Sequence, residues 1–393
     1  MSIALQNQQK SIFNFISVSW IIFIIGSYVG YVYTNVYNPV VLFTFAVFAF
    51  CGLRLFFTNV TYDYFILFFT GYHIISGIAY NNLYDFLSLT IYSILLLFMY
   101  LIVEYLKYNA ITYVSYIIMI INNINFLIIM FSPVSKTRVK YIFNLAIEIN
   151  SVEFLRFSVT ALVALISFIF ALHLKPQQIF LKIFKFSTLA TSLYIIFFSG
   201  KLSILGSFII VLISSFIIFK VIKNKILQKI ITVLIIAITF SSSFFMEFII
   251  SKSSEYGLNY RLIFSGREEI WIDYINYYKN LSVVNQLIGV SYVRNINNIG
   301  GFLQVHPHNQ YLTILIGTGA IGFFLYTFLF YKAYKATLIS NDRRGFMLIL
   351  AINLYGLTDD YVFLTVSCIN AFYIIYYFSI HKMIKKVGTT KGG

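Results

Sequence analysis

Residues 202–221 read LSILGSFIIVLISSFIIFKV, an uncharged run closed at one end by Lys220. As a helix it rises about 1.5 Å per residue and matches a bilayer hydrocarbon core of about 30 Å. It lacks the polar/apolar alternation of a barrel strand. A helix is then the one way to satisfy its backbone inside lipid. Outward from it the pattern recurs. Runs at 12–33, 38–57, 64–80, 84–106, 110–131, 157–174, 183–199, 228–250, 310–333, 345–358 and 361–380 meet or approach the same length. The expected fold is an all-α, polytopic integral membrane protein of about twelve transmembrane helices, with 1–393 forming a single membrane domain.

Composition excludes the alternatives. Of 393 residues, 60% are hydrophobic and 10% charged, against about 25% charged in soluble chains. That rules out a disordered chain, a secreted disulfide scaffold and an ordinary water-soluble domain. Cys51 and Cys368 both lie in apolar runs, where isolated thiols read as packing residues. Lys10 precedes the first run with no small-residue cleavage site after it, so this run reads as an anchor. No internal repeat is visible, hence no inverted-repeat transporter signature.

The net charge of +15 would suggest nucleic acid in a soluble protein. Here it reads as orientation. With the N-terminus cytoplasmic, the inner segments hold 18 of the 28 cations, opposed by Asp63, Glu104 and Asp342. Ten cations and ten acids remain outside. The positive-inside rule then holds for the whole chain and puts both termini in the cytoplasm. No nucleic-acid partner is expected.

Two outer loops are long. Residues 132–156 carry Lys136, Arg138, Lys140 and Arg156, and residues 251–308 form the largest soluble element. Long connections of this kind tend to carry function. In the second loop, Ser265 followed by Glu268 has the spacing of a capping box. Arg267, Trp271, Ile275 and Tyr278 then share one helical face, giving an amphipathic helix suited to the membrane surface. Its first-turn amides and Arg267 could hold a phosphate. The same pattern also fits an ordinary interfacial helix with Arg267 paired to a neighbouring Glu.

The loop closes with Val305-His306-Pro307-His308-Asn309-Gln310-Tyr311-Leu312. Asn309 is a good N-cap for the tenth span, and Pro307 stops a helix from running through. That places His308 at a helix mouth, where an imidazole suits general-base work; a solvent-facing loop histidine is the plain alternative. No third metal ligand lies near His306 and His308, so no metal and no cofactor are expected. Gly317, Gly319 and Gly322 permit close helix packing. Asp359-Asp360 and Glu247 lie at outer span ends, where acids are functional suspects or simple turn residues.

Together, Ser265-Gly266-Arg267 with Trp271, and His308-Asn309 with Leu312, Gly319 and Gly322, resemble the O-antigen polymerase and ligase superfamily of the Wzy type. Ser199-Gly200-Lys201-Leu202-Ser203 stands where the family has a Ser-Arg-Gly-like element. Lys201 keeps the charge there but loses the bidentate fork of an arginine. The detailed match covers roughly residues 150–330.

The resemblance implies a GT-C-like membrane glycosyltransferase of the inner membrane, with a hexosyltransferase-type, metal-independent reaction on the extracytoplasmic side. Donor and acceptor would be undecaprenyl-diphosphate-linked oligosaccharides within the lipid bilayer. A flippase and a chain-length regulator would be its partners. Arg267 is the expected catalytic cation on the leaving diphosphate, with Arg156, Lys201 and Arg138 next; Arg261 and Arg294 have no motif behind them. His308 is the expected base. Trp271, His306, Tyr311 and Asp360 are glycan-contact candidates. A polymerase is the favoured reading. An O-antigen ligase acting on lipid A-core shares the motifs, and a polysaccharide flippase or other transporter is the reading from a different class.

Overall fold

The computed structural model describes residues 3–32, 39–58, 63–79, 83–131, 136–142, 145–151, 157–199, 202–245, 248, 252, 255, 267–290, 308–358 and 372–380. Five helices come first: α1 (Ile3–Val32), α2 (Pro39–Phe57), α3 (Tyr64–Ala79), α4 (Leu83–Leu106) and α5 (Tyr108–Phe131). Strands β1 (Lys136–Ile142) and β2 (Leu145–Ser151) follow. Then come α6 (Phe157–His173), α7 (Ile179–Phe198), α8 (Leu202–Phe216), whose last turn continues as a π-helix over Ile217–Val221, and α9 (Lys225–Ser241). The large loop contributes α10 (Arg267–Lys279) and α11 (Val283–Ile288). The chain continues with α12 (Gln310–Ile339), α13 (Arg343–Tyr355) and a helical stretch at 372–380.

Helices occupy the twelve apolar runs, the last in its second half among the described residues. Among the described residues, four helical elements are long and apolar enough to cross a membrane: Tyr108–Phe131, Ile179–Phe198, Ser203–Val221 and Gln310–Ile339. The outward faces of α8 and α9 agree with a lipid setting. Ile209, Ile210, Ile213 and Phe216 on α8, and Ile226, Ile230, Leu234 and Ile238 on α9, are exposed. A contiguous apolar surface of this kind suits lipid and is rare on a soluble monomer.

The all-α expectation needs one amendment. Within the 132–156 loop, β1 and β2 pair antiparallel, with Lys136 opposite Ser151 and Ile142 opposite Leu145. The β-branched Thr137, Val139, Ile147 and Ile149 favour the extended backbone. Arg138 stands opposite Ile149 in this register.

The core is built around α6, α13 and 372–380, whose residues are buried on nearly every side. Apolar helices have no hydrophobic drive to associate in lipid, so polar contacts and small residues hold them. Between α5 and α7, Asn122 Nδ2 donates to Thr191 Oγ1 at 3.0 Å and Ser192 Oγ at 3.1 Å, and Asn123 Nδ2 donates to Thr188 Oγ1 at 2.9 Å. Asn125 Nδ2 reaches the Tyr28 hydroxyl of α1 at 2.6 Å. Cys51 is fully buried, as expected of a packing thiol.

Candidate functional site

The sequence predicts a helical span over 310–333. In the structure α12 is broken at Gly319, which adopts φ 66° and ψ −175°, a region open essentially to glycine alone. The bend is large. Phe240 of α9 lies 4.3 Å from the Tyr311 ring and 5.6 Å from the Phe330 ring, centroid to centroid. A straight helix would separate residues 311 and 330 by about 28 Å. The first limb, 310–318, therefore folds back along the second, 320–339. The start of the element lies beside the middle of the second limb instead of beyond its end.

The reason for the break lies in the loop. Gly289, at φ 89°, crosses α12 backbone against backbone. A Cβ on Gly289 would meet the Gly317 oxygen at 2.4 Å, and one on Gly319 would meet the Leu287 oxygen at 2.3 Å. Val290 N donates to Ile316 O at 3.0 Å, and Tyr72 of α3 donates its hydroxyl proton to Thr318 O at 2.5 Å. Both carbonyls lie beside the break, so backbone groups released by the kink regain partners.

The mouth of the first limb is built from its own sequence. Asn309 is the expected N-cap: its side chain accepts from Tyr311 N at 3.0 Å and Leu312 N at 3.2 Å. Gln310 N donates to Gly356 O at 2.8 Å, tying this mouth to the C-terminal end of α13. His308, partly exposed, takes φ 48°, a left-handed conformation that costs a non-glycine residue about 1–2 kcal/mol.

Helix α10 joins the same junction. Arg267, its first residue, donates from Nη1 to the carbonyl of Thr358, two residues past the Gly356 carbonyl that receives Gln310. Arg267 and His308 are thus drawn to one place, the meeting of α10, the first limb of α12 and the end of α13. Of the neighbouring glutamates, Glu269 makes no ion pair with Arg267, and the Glu268 side chain lies outside the described residues. One guanidinium donor is spent on Thr358, and a guanidinium carries five.

The face predicted on α10 is real but inward. Trp271, Tyr274 and Ile275 pack on Leu312 and Ile316 of the first limb. Tyr278 donates to Gln286 O at 2.9 Å, and Gln286 Nε2 donates to Lys279 O at 3.0 Å, so α10 and α11 are fastened together. Burial pushes the phenols of Tyr277 and Tyr278 up from their ordinary value. Ser282 caps α11, accepting from Asn285 N at 3.3 Å.

Two glycan-contact candidates are buried. Trp271 is 3% exposed and Tyr311 2% exposed. Trp271 holds the loop to α12. Tyr311 donates its hydroxyl proton to Asn353, through both the backbone carbonyl at 2.6 Å and the side-chain oxygen. Both are supports for the site, because an aromatic ring facing a packed helix has no open side for a sugar. Arg156, Lys201, His306 and Asp360 fall outside the described residues, as do Ser265, Arg261, Arg294, Asp359, Glu247 and Cys368.

Sequence reasoning missed Asn353, whose Nδ2 donates to Thr239 Oγ1 at 3.0 Å and to the Tyr334 hydroxyl at 3.2 Å. An asparagine inside an apolar span was the available signal. No protein-family model matches the chain, and no curated protein matches its sequence.

Proposed function

We propose that the chain is a surface-polysaccharide polymerase of the O-antigen type. It transfers a growing glycan from undecaprenyl diphosphate to a new lipid-linked repeat unit on the extracytoplasmic face of the inner membrane. The twelve-span, GT-C-like topology with both termini cytoplasmic belongs to this reading. The observation that supports it is that Arg267 bonds Thr358 while Gln310, two residues past His308, bonds Gly356, so both motif segments are tied to the same end of α13.

The chemistry follows from their charges. An acceptor hydroxyl attacks the anomeric carbon of the donor, and the bond from that carbon to the diphosphate oxygen breaks. Negative charge grows on the leaving undecaprenyl diphosphate, and Arg267, held by Thr358, stabilises it. The hydroxyl proton passes to His308. Arg156, Lys201 and Arg138 supply further cations for the diphosphate.

The test is reconstitution. Purified protein given lipid-linked repeat units, without added metal, should produce longer glycan chains. Arg267→Ala and His308→Ala should each abolish growth while the protein remains folded. Full activity in both variants would sink the assignment. Transfer solely to a lipid A-core acceptor selects the ligase, and transport without chain growth selects the flippase.

A further inference from the structure

A shallow groove opens between α9 and the second limb of α12, lined by Lys229, Thr232, Val233, Tyr331, Tyr334 and Lys335. We propose that it binds an anionic phospholipid of the leaflet at the lysine-rich helix ends, with the phosphate between Lys229 and Lys335. The proposal does not depend on the glycosyltransferase reading.

Three features carry it. The two ammonium groups come from opposite walls of the groove, and no acid is among its lining residues. Lys335 Nζ lies 5.8 Å from the centroid of the Tyr331 ring, a cation–π contact that holds the charge at the groove's edge. Beyond the lysines the surface turns apolar: Ile230, Val233 and Leu234 of α9 are exposed, as are Phe324 and Tyr331 of α12. A free phosphate would use the charges and ignore this wall; a phospholipid uses both. Lys220, Lys223, Lys225 and Lys332 lie at the same helix ends, and such basic clusters draw acidic headgroups.

The groove also touches the scaffold of the candidate site. Tyr334 lines it, and the Tyr334 hydroxyl accepts from Asn353, which in turn receives Tyr311 of the folded-back limb. A bound lipid would pack on Tyr334 and so brace the broken helix.

Native mass spectrometry of the full chain in detergent, with phosphatidylglycerol or phosphatidylcholine added, tests this. Phosphatidylglycerol should be retained preferentially, and Lys229→Ala with Lys335→Ala should weaken retention by about tenfold or more. Lys223→Ala with Lys225→Ala, outside the groove, should leave it unchanged. Val233→Trp fills the groove without altering charge and should also lose the lipid, and Lys229→Arg with Lys335→Arg should keep it. These variants read the proposal if the double alanine variant does not fold. Inorganic phosphate at millimolar concentration should not displace the lipid. Displacement by phosphate, equal retention of phosphatidylcholine, equal loss in the Lys223/Lys225 variant or full retention in Val233→Trp would each overturn the proposal.

Discussion

The rings of Tyr311 and Tyr326 lie 6.5 Å apart, centroid to centroid, although a straight helix would separate these residues along its axis by about 22 Å. That distance fixes the geometry of the candidate site. The limb that begins at Asn309 turns back at Gly319, so its N-terminal end meets α13 at Gly356 and receives α10 along its side. Arg267 bonds Thr358 and Gln310 bonds Gly356, so both segments are tied to that same end of α13.

Gly319→Ala should destabilise the protein strongly. The added Cβ would meet Leu287 O at 2.3 Å and Gly289 N at 2.5 Å, at a φ of 66°. The expected loss is about 3 kcal/mol or more, from strain and steric overlap together. Gly71→Ala is the matched control, since nothing lies within 4 Å of its Cβ position. Thermal unfolding followed by circular dichroism in detergent separates the two, and equal midpoints would contradict the close crossing at the break.

Asn353→Leu keeps the volume of a buried side chain and removes its amide. The hydroxyls of Tyr311, Tyr334 and Thr239 then lose a shared partner, at an expected cost of about 2–4 kcal/mol. Tyr311→Phe should cost less alone, and the two changes combined should cost less than their sum. Additive losses in a double-mutant cycle would show that the contacts are not coupled.

Trp271→Ala opens a cavity between α10 and the first limb and should cost about 3–5 kcal/mol. Chain growth should fall with it, because Arg267 rides on the same helix; Trp271→Phe should recover most of both. Ser in place of the exposed Val283 or Val284 should change stability by no more than about 0.5 kcal/mol. A Trp271→Ala protein that is stable and impaired only in glycan affinity would return this ring to the sugar-binding role.

His308→Gly separates backbone from chemistry. Glycine accepts φ 48° without penalty, so the variant should fold at least as well as the parent while losing the imidazole. The expected result is an unchanged or raised melting temperature with glycan extension abolished. Retained extension would remove His308 as the base.

Arg267→Lys asks whether charge alone suffices. A lysine keeps the charge but cannot bond Thr358 and present a planar fork to a diphosphate together. Single-turnover extension should fall well below the parent, with insertion and folding unchanged; parental rates would mean that the cation acts as a point charge.

Much of the fold was legible in the chain. Runs such as 110–131 and 202–221 have bilayer length and few charges, and a helix is their one route to satisfied backbone groups. Asn309 was legible as an N-cap because the signal is local, one side chain reaching amides two and three residues ahead. The 136–142 and 145–151 pair was less so, because its β-branched residues sit in a loop singled out for its cations.

The site was legible as residue types and spacing, not as geometry. Three glycines stand at 317, 319 and 322, and nothing local says which one takes the left-handed backbone. The choice falls on Gly319 because Gly289, far off in sequence, crosses there and leaves no room for a Cβ on either side. Trp271 reads as an interfacial aromatic until Leu312 and Ile316 arrive to cover it, and they arrive because the first limb turns back. The sequence by itself determined the apolar helices and their approximate ends, and singled out Arg267 and His308 as candidates. The tertiary structure decided that α12 reverses and that Arg267 and His308 share a junction, because these depend on backbone contacts between segments that meet when the chain is folded.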